Sequence, residues 1–207
     1  MLAGVGRYRG EPLDVCEVRT VEELAAVDGL VIPGGESTTI GKLMGDFGLR
    51  EPLRRRVEHG MPVFGTCAGA IALARDVDGL VHPLVGLMDI SVQRNAFGRQ
   101  QQSFEADVPI PSLGDRPMRA IFIRAPAITA VGAGVQVMAH LPDGGIVAAR
   151  QAHLLAASFH PELTGDDRLH RYFAEIVLAR KEQCDRRAED QETRGDMEGR
   201  VEAVHEL

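Results

Sequence analysis

Met61-Pro62-Val63-Phe64-Gly65-Thr66-Cys67-Ala68-Gly69-Ala70-Ile71-Ala72-Leu73-Ala74 is the stretch whose reading decides the fold. Its opening is apolar and strand-like, its centre is built of small residues, and Ala70 to Ala74 favour helix. The order is therefore strand, tight turn, helix, with a cysteine on the turn. This is the layout of a nucleophile elbow, where small flanking residues let the backbone bend sharply and lift one reactive side chain above a sheet. Gly65 and Gly69 supply that smallness. The thiol of Cys67 would face the N-terminal end of the following helix, whose partial positive charge favours thiolate, so a lowered thiol pKa is expected. The competing reading is a small buried hydrophobe, the common fate of a free cysteine.

Working outward, Gly29–Ile32, Ala120–Ile123, Val135–Ala139, Gly145–Ala149 and Leu154–Phe159 read as further strands. Thr39 to Gly60 is amphipathic, with Ile40, Leu43, Met44, Phe47, Leu53 and Val57 near helical spacing; Pro52 interrupts it and suggests two short helices. Strand, helix, strand in that order implies a parallel sheet. After Ala74 the texture turns to Gly, Pro and polar residues, and Ile90–Gln93 and Phe104–Val108 read as antiparallel, partly exposed strands of a mixed-sheet excursion. From Lys181 the chain is strongly charged and poor in large apolar residues. The expectation is one α/β domain over residues 1–180, a three-layer, mostly parallel open sheet with flanking helices, and a tail over 181–207, disordered or loosely helical.

The apolar run Leu154–Phe159 ends in His160-Pro161-Glu162. In extended chain, residues two apart point the same way, so a carboxylate there can orient the imidazole. In a Cys-His-carboxylate relay the histidine takes the thiol proton and returns it to the leaving amine, while the carboxylate fixes its tautomer. Alone, the triplet also reads as a turn with a solvated charge. Leu30-Val31-Ile32 runs into Pro33-Gly34-Gly35-Glu36-Ser37-Thr38-Thr39. Its glycines leave backbone N–H groups free for a developing oxyanion, and the N–H of Ala68 would complete the pair with Gly35. The same loop also reads as a βα turn in which Ser37 or Thr38 caps a helix. Lys42 is out of register for a phosphate loop, so nucleotide binding is not expected.

Composition narrows the partners. The chain has 207 residues, 44% hydrophobic, with a net charge of −7, which gives no electrostatic reason to expect nucleic acid or an anionic membrane. Cys16, Cys67 and Cys184 lie far apart, which suggests neither a disulfide framework nor a zinc site and fits a reducing cytoplasm. No His, Cys or carboxylate cluster has metal-ligand spacing, and no cofactor is expected.

With these residues in hand, the chain resembles the class I glutamine amidotransferases and, within them, the family of glutaminase subunits of pyridoxal 5′-phosphate synthase (PdxT/SNO). The resemblance rests on Pro33–Gly41, Gly65–Gly69, Arg94-Asn95-Ala96-Phe97-Gly98-Arg99-Gln100, Phe122-Ile123-Arg124-Ala125-Pro126 and Ser158–Thr164, and spans about Val15 to Ala179. It implies Cys67 as nucleophile, His160 and Glu162 as the rest of the triad, and Gly35, Glu36, Ser37, Arg94, Ile123 and Arg124 at glutamine-binding positions. Arg94 and Arg124 make chemical sense, because a guanidinium meets an α-carboxylate with two parallel hydrogen bonds; either could equally be a surface ion-pair residue. The implied chemistry is a γ-glutamyl thioester on cysteine, with ammonia passed to a separate synthase subunit. The implied assembly is a large complex of glutaminase subunits around a double-ring synthase core.

Members of that family open with a strand near Gly-Val-Leu-Ala-Leu-Gln-Gly and a helix, whereas Met1 to Leu13 here reads differently. The expectation is a domain lacking most of that first strand and helix. Three rivals follow: a glutaminase subunit serving another synthase, such as one for histidine or guanine nucleotides; a non-catalytic or impaired binding subunit; and a cysteine peptidase or γ-glutamyl hydrolase, since the same relay cleaves other amides.

Overall fold

The computed structural model describes residues 7–8, 11–94, 96 and 103–202, with side chains described over 13–94, 96 and 103–187. β1 (Arg7–Tyr8) and β2 (Glu11–Pro12) pair only with each other. The expectation of a missing first strand and helix falls mostly on residues outside that description.

The main sheet has eight strands. β3 (Leu30–Ile32), β4 (Val63–Thr66) and β12 (Leu154–Ala157) are parallel neighbours, in register at Leu30, Val63 and Leu154. Beyond β12 the sheet turns antiparallel through β11 (Ile146–Gln151), β9 (Ala127–Val131) and β6 (Met88–Gln93), and it ends on β5 (Ala74–Val77), parallel to β6. β10 (Gln136–His140) hangs on β11. The parallel half carries the chemistry, because its shared register brings the carboxyl ends of three strands to one edge.

Alternation along β4 and β12 sends neighbouring residues to opposite faces, which produces the three layers. Val63, Leu154 and Ala156 join a core with Leu24, Leu53 and Leu73. Phe64, Leu155 and Ala157 join the other, with Phe122, Phe159, Leu169 and Phe173. The first face is covered by α1 (Val21–Ala26), α2 (Ser37–Asp46), α3 (Arg50–Glu58) and α4 (Ala68–Leu73); the second by α5 (Arg168–Glu202) and a ribbon of β7 (Ser103–Val108) with β8 (Met118–Ile123). A reciprocal capping box, Thr20 with Glu23, starts α1.

One expectation needed correction, and others gained their place in the fold. Pro52 does not separate the two helices: it sits in the first turn of α3, where a missing N–H costs nothing, and the break falls at Phe47–Leu49 around Gly48, whose φ is +64°. Ala120–Ile123 belongs to the separate ribbon, where Phe104 stacks on Phe122 at 4.5 Å. Ile90–Gln93 is, as expected, antiparallel to a neighbour and partly exposed, with Gln93 exposed and Ile90 and Val92 buried, and it lies inside the main sheet. Of the two forms expected for the charged tail, the helical one is found: α5 continues through 202, and residues 181–187 are exposed. Among the described residues no helix is long and apolar enough to cross a membrane.

Candidate active site

Cys67 stands between β4 and α4 with φ +50° and ψ −108°. Only a constrained turn holds a non-glycine residue in this region, which is the strained backbone expected of an elbow. Its N–H donates to the Ala157 carbonyl at 2.8 Å, which ties the turn to β12. The turn exists because its neighbours have no side chains. A Cβ on Gly65 would lie 2.5 Å from the Gly69 carbonyl, and one on Gly69 would lie 1.9 Å from the Ile32 carbonyl oxygen. Gly69 is thus where α4 crosses β3 in backbone contact.

His160 follows β12, and its N–H donates to the Ile121 carbonyl at 2.8 Å. Its Nδ1 lies 2.7 Å from Oε1 of Glu162. The extended spacing expected for this pair is not how they meet. β12 ends at Ala157, and Pro161–Leu163 form a 3-10 turn that His160 caps, which swings Glu162 back toward the ring. A carboxylate on Nδ1 makes that nitrogen the donor and leaves Nε2 for the cysteine.

The Cys67 sulfur, first, and the Glu162 carboxylate, second, favour the charged ring and raise the His160 pKa to about 10, against the opposing effect of burial. Burial, the largest single influence, pushes Glu162 upward, but the hydrogen bond from His160, a backbone hydrogen bond and the charges of His160 and His170 together outweigh it, and the carboxyl lies below its ordinary range. The arrangement at neutral pH is an imidazolium held between a sulfur and a carboxylate. The thiol also points at the Ile123 carbonyl, 3.8 Å away.

The glycine loop closes over this pair. A Cβ on Gly34 would lie 2.3 Å from Cε1 of His160 and 3.4 Å from Cβ of Cys67. The sequence offered Gly34 only as one of two glycines freeing backbone N–H groups; its close packing on His160 shows only in the fold. Gly35, with φ +152°, follows Gly34 in the loop, and Ala68 follows Cys67 as the first residue of α4. The helix cap expected from Ser37 or Thr38 belongs to Glu36 instead, whose carboxylate accepts from the N–H groups of Thr38 at 3.2 Å and Thr39 at 2.7 Å. The Thr38 hydroxyl, then the two backbone donors, lower its pKa to about 2. Ser37 is the first, buried residue of α2.

Of the remaining candidates, Ile123 ends β8 and is exposed, and Arg124 follows it with φ +45°. Arg94, half-buried, follows Gln93, which pairs with Ala127, so both arginines sit at neighbouring strand ends. Arg94 rests its guanidinium 3.3 Å from where a Cβ on Gly79 would stand. Asn95 and Phe97 to Gln100 lie outside the described residues. Among the described residues no three His, Cys, Asp or Glu side chains converge as a metal site.

Comparison with known proteins accords with this geometry. The chain is 56% identical over 165 residues to the pyridoxal 5′-phosphate synthase subunit PdxT of Carboxydothermus hydrogenoformans, covering 80% of this chain and 86% of that one. It is 55% identical over 188 residues to the subunit of the same name from Pelotomaculum thermopropionicum, covering 88% and 95%. A crystal structure described as a glutamine amidotransferase superposes with a TM-score of 0.76 at 48% identity, over 80% of this chain and 87% of that one. The sequence profile of one family matches residues 8–179, and on that match and these identities the chain belongs to the SNO glutamine amidotransferase family.

Proposed function

We propose that the chain hydrolyses the side-chain amide of L-glutamine to L-glutamate and ammonia, and that it delivers the ammonia to a synthase subunit that makes pyridoxal 5′-phosphate. The observation that carries this reading is the Cys67 elbow beside His160, whose other nitrogen is held by Glu162 at 2.7 Å.

In the first half-reaction the Cys67 thiolate attacks the amide carbon, and the carbonyl oxygen takes up negative charge. The backbone N–H groups of Gly35 and Ala68 receive that charge. His160, carrying the proton, gives it to the departing nitrogen, so the C–N bond breaks and ammonia leaves with a γ-glutamyl thioester on the sulfur. In the second half-reaction His160 takes a proton from water, the hydroxyl adds to the thioester carbon, and the C–S bond breaks to release glutamate and restore the thiolate. Glu162 keeps the ring oriented through both. Arg94 and Arg124 would hold the substrate α-carboxylate, and the ionised Glu36, with Ser37 and the main chain at Ile123, would complete the glutamine pocket.

The relatives named above are subunits of pyridoxal 5′-phosphate synthase, which favours that partner over synthases for histidine or guanine nucleotides. The assembly proposed with it is a large hetero-oligomer of glutaminase subunits around a double-ring synthase.

The test is ammonia release from glutamine by the full chain, with and without that synthase subunit, compared with Cys67→Ala. Release that the substitution lowers by at least about 10³-fold supports the reading. Undiminished release by the variant, or none by the parent chain under both conditions, overturns it.

A further inference from the structure

The relay accounts for one oxygen of Glu162 and leaves the other without a role. Among the described residues, Oε2 of Glu162 is buried with no hydrogen-bond partner, as are Nδ1 of His170 and Oγ1 of Thr66. An orphaned buried polar atom costs about 1–3 kcal/mol, so several at one place call for a joint explanation.

These three do share a place. His170 is the third residue of α5, 3% exposed, and its ring meets Phe64 edge-on, with centroids 5.9 Å apart at 70°. Thr66 lies two residues beyond Phe64 on β4, so both project from the sheet face that α5 covers. His170 and Glu162 sense each other's charge: burial keeps the His170 pKa below its ordinary value while Glu162 pulls it up, and His170 adds to the influences that keep Glu162 ionised. A neutral imidazole has one N–H to give. A carboxylate gripped through one oxygen can still swing, and a second donor on the other oxygen removes that freedom.

We infer that His170 is a positioning residue of the relay, its ring N–H serving Oε2 of Glu162 through one ordered water, so that Oε1 stays aligned with Nδ1 of His160. His170 touches no reacting atom; it acts through Glu162, and Thr66 lies on the same face as a second polar support. This inference rests on the glutaminase reading for its role in turnover, but not for its effect on the reactivity of the Cys67–His160 pair.

The test compares His170→Phe, which keeps a ring and removes the donor, with His170→Asn, whose amide N–H stands near the position of Nδ1. Two quantities are measured on the full chain: kcat and KM for ammonia release, and the pH profile of Cys67 alkylation by the anionic reagent iodoacetate, read by mass spectrometry on the Cys67 peptide because Cys16 and Cys184 are exposed. The expected result is a kcat reduced at least about 10-fold in His170→Phe with KM within about twofold. Its alkaline limb of alkylation should move to lower pH, and His170→Asn should recover most of both. Should His170→Phe not fold, His170→Leu carries the same comparison. A wild-type kcat and alkylation profile in the variant without a donor overturns the inference, as does equal loss in both variants in proportion to their melting temperatures. If the parent chain releases no ammonia, the glutaminase reading fails by itself, and the shift in the alkylation profile still decides the role of His170.

Discussion

Gly34→Ala isolates the geometry of the site from its chemistry, because it removes no catalytic group. The φ of Gly34 lies outside the left-handed region, so alanine is tolerated by the backbone. Its Cβ is not tolerated by the neighbour: it would stand 2.3 Å from Cε1 and 3.0 Å from Nδ1 of His160. Carbon atoms rest at about 3.5–4.0 Å, so the ring or the loop must yield by roughly 1 Å. His160 is held by the 2.7 Å bond from Nδ1 to Glu162, and Gly34 leads into Gly35. Either displacement spoils an alignment. A misplacement of about 1 Å costs on the order of 10²-fold in rate, equivalent to about 2.7 kcal/mol of barrier. The assay is steady-state ammonia release, alongside circular dichroism and a thermal melt. The expected outcome is kcat/KM down about 100-fold, with a native spectrum and a melting temperature lowered by roughly 2–4 °C, since a side-chain neighbour can yield at a cost near the low end, about 1 kcal/mol. Wild-type kcat/KM in a folded Gly34→Ala would refute the reasoning, since it would mean that the loop does not press on His160 in the working enzyme.

Other outcomes follow from the same geometry. The His160 proton is held to about pH 10 by Cys67 and then Glu162, so alkylation of Cys67 by the anionic reagent iodoacetate, which the imidazolium attracts, should keep its plateau well above neutrality and fall near pH 10, and Glu162→Gln should move that fall to lower pH. The same shift fixes a sign for stability. A folded-state pKa raised above the ordinary 6.5 gives a stabilisation that is complete below about pH 6.5 and lost as pH rises to 10, so melting curves of the parent chain and His160→Gln should converge on the alkaline side. Gly69→Ala should be far more damaging to the fold than Gly34→Ala, because its Cβ would stand 1.9 Å from a backbone oxygen of Ile32 that no side-chain rotation can clear. A loss of about 3 kcal/mol, or roughly 6–12 °C in melting temperature, is expected in a thermal melt.

Much of this protein is legible in its order of residues. Met61 to Ala74 announces strand, elbow and helix, and Leu154 to Glu162 announces a strand ending in a histidine with a carboxylate two places on, because turn chemistry and apolar periodicity are local properties that survive without the fold. Motif order then carried the family. Only the tertiary structure decided how the pieces meet. The register of β3, β4 and β12 sets Gly34, Cys67 and His160 at one edge; a 3-10 turn, not an extended strand, turns Glu162 onto the ring. The helix cap that the sequence offered to Ser37 or Thr38 fell to Glu36, through four donors in Thr38 and Thr39. His170 looked like one more polar residue in a helix until α5 buried it beside Phe64. Contacts between residues remote in the chain depend on how strands pair and which faces are covered, and no local pattern encodes them.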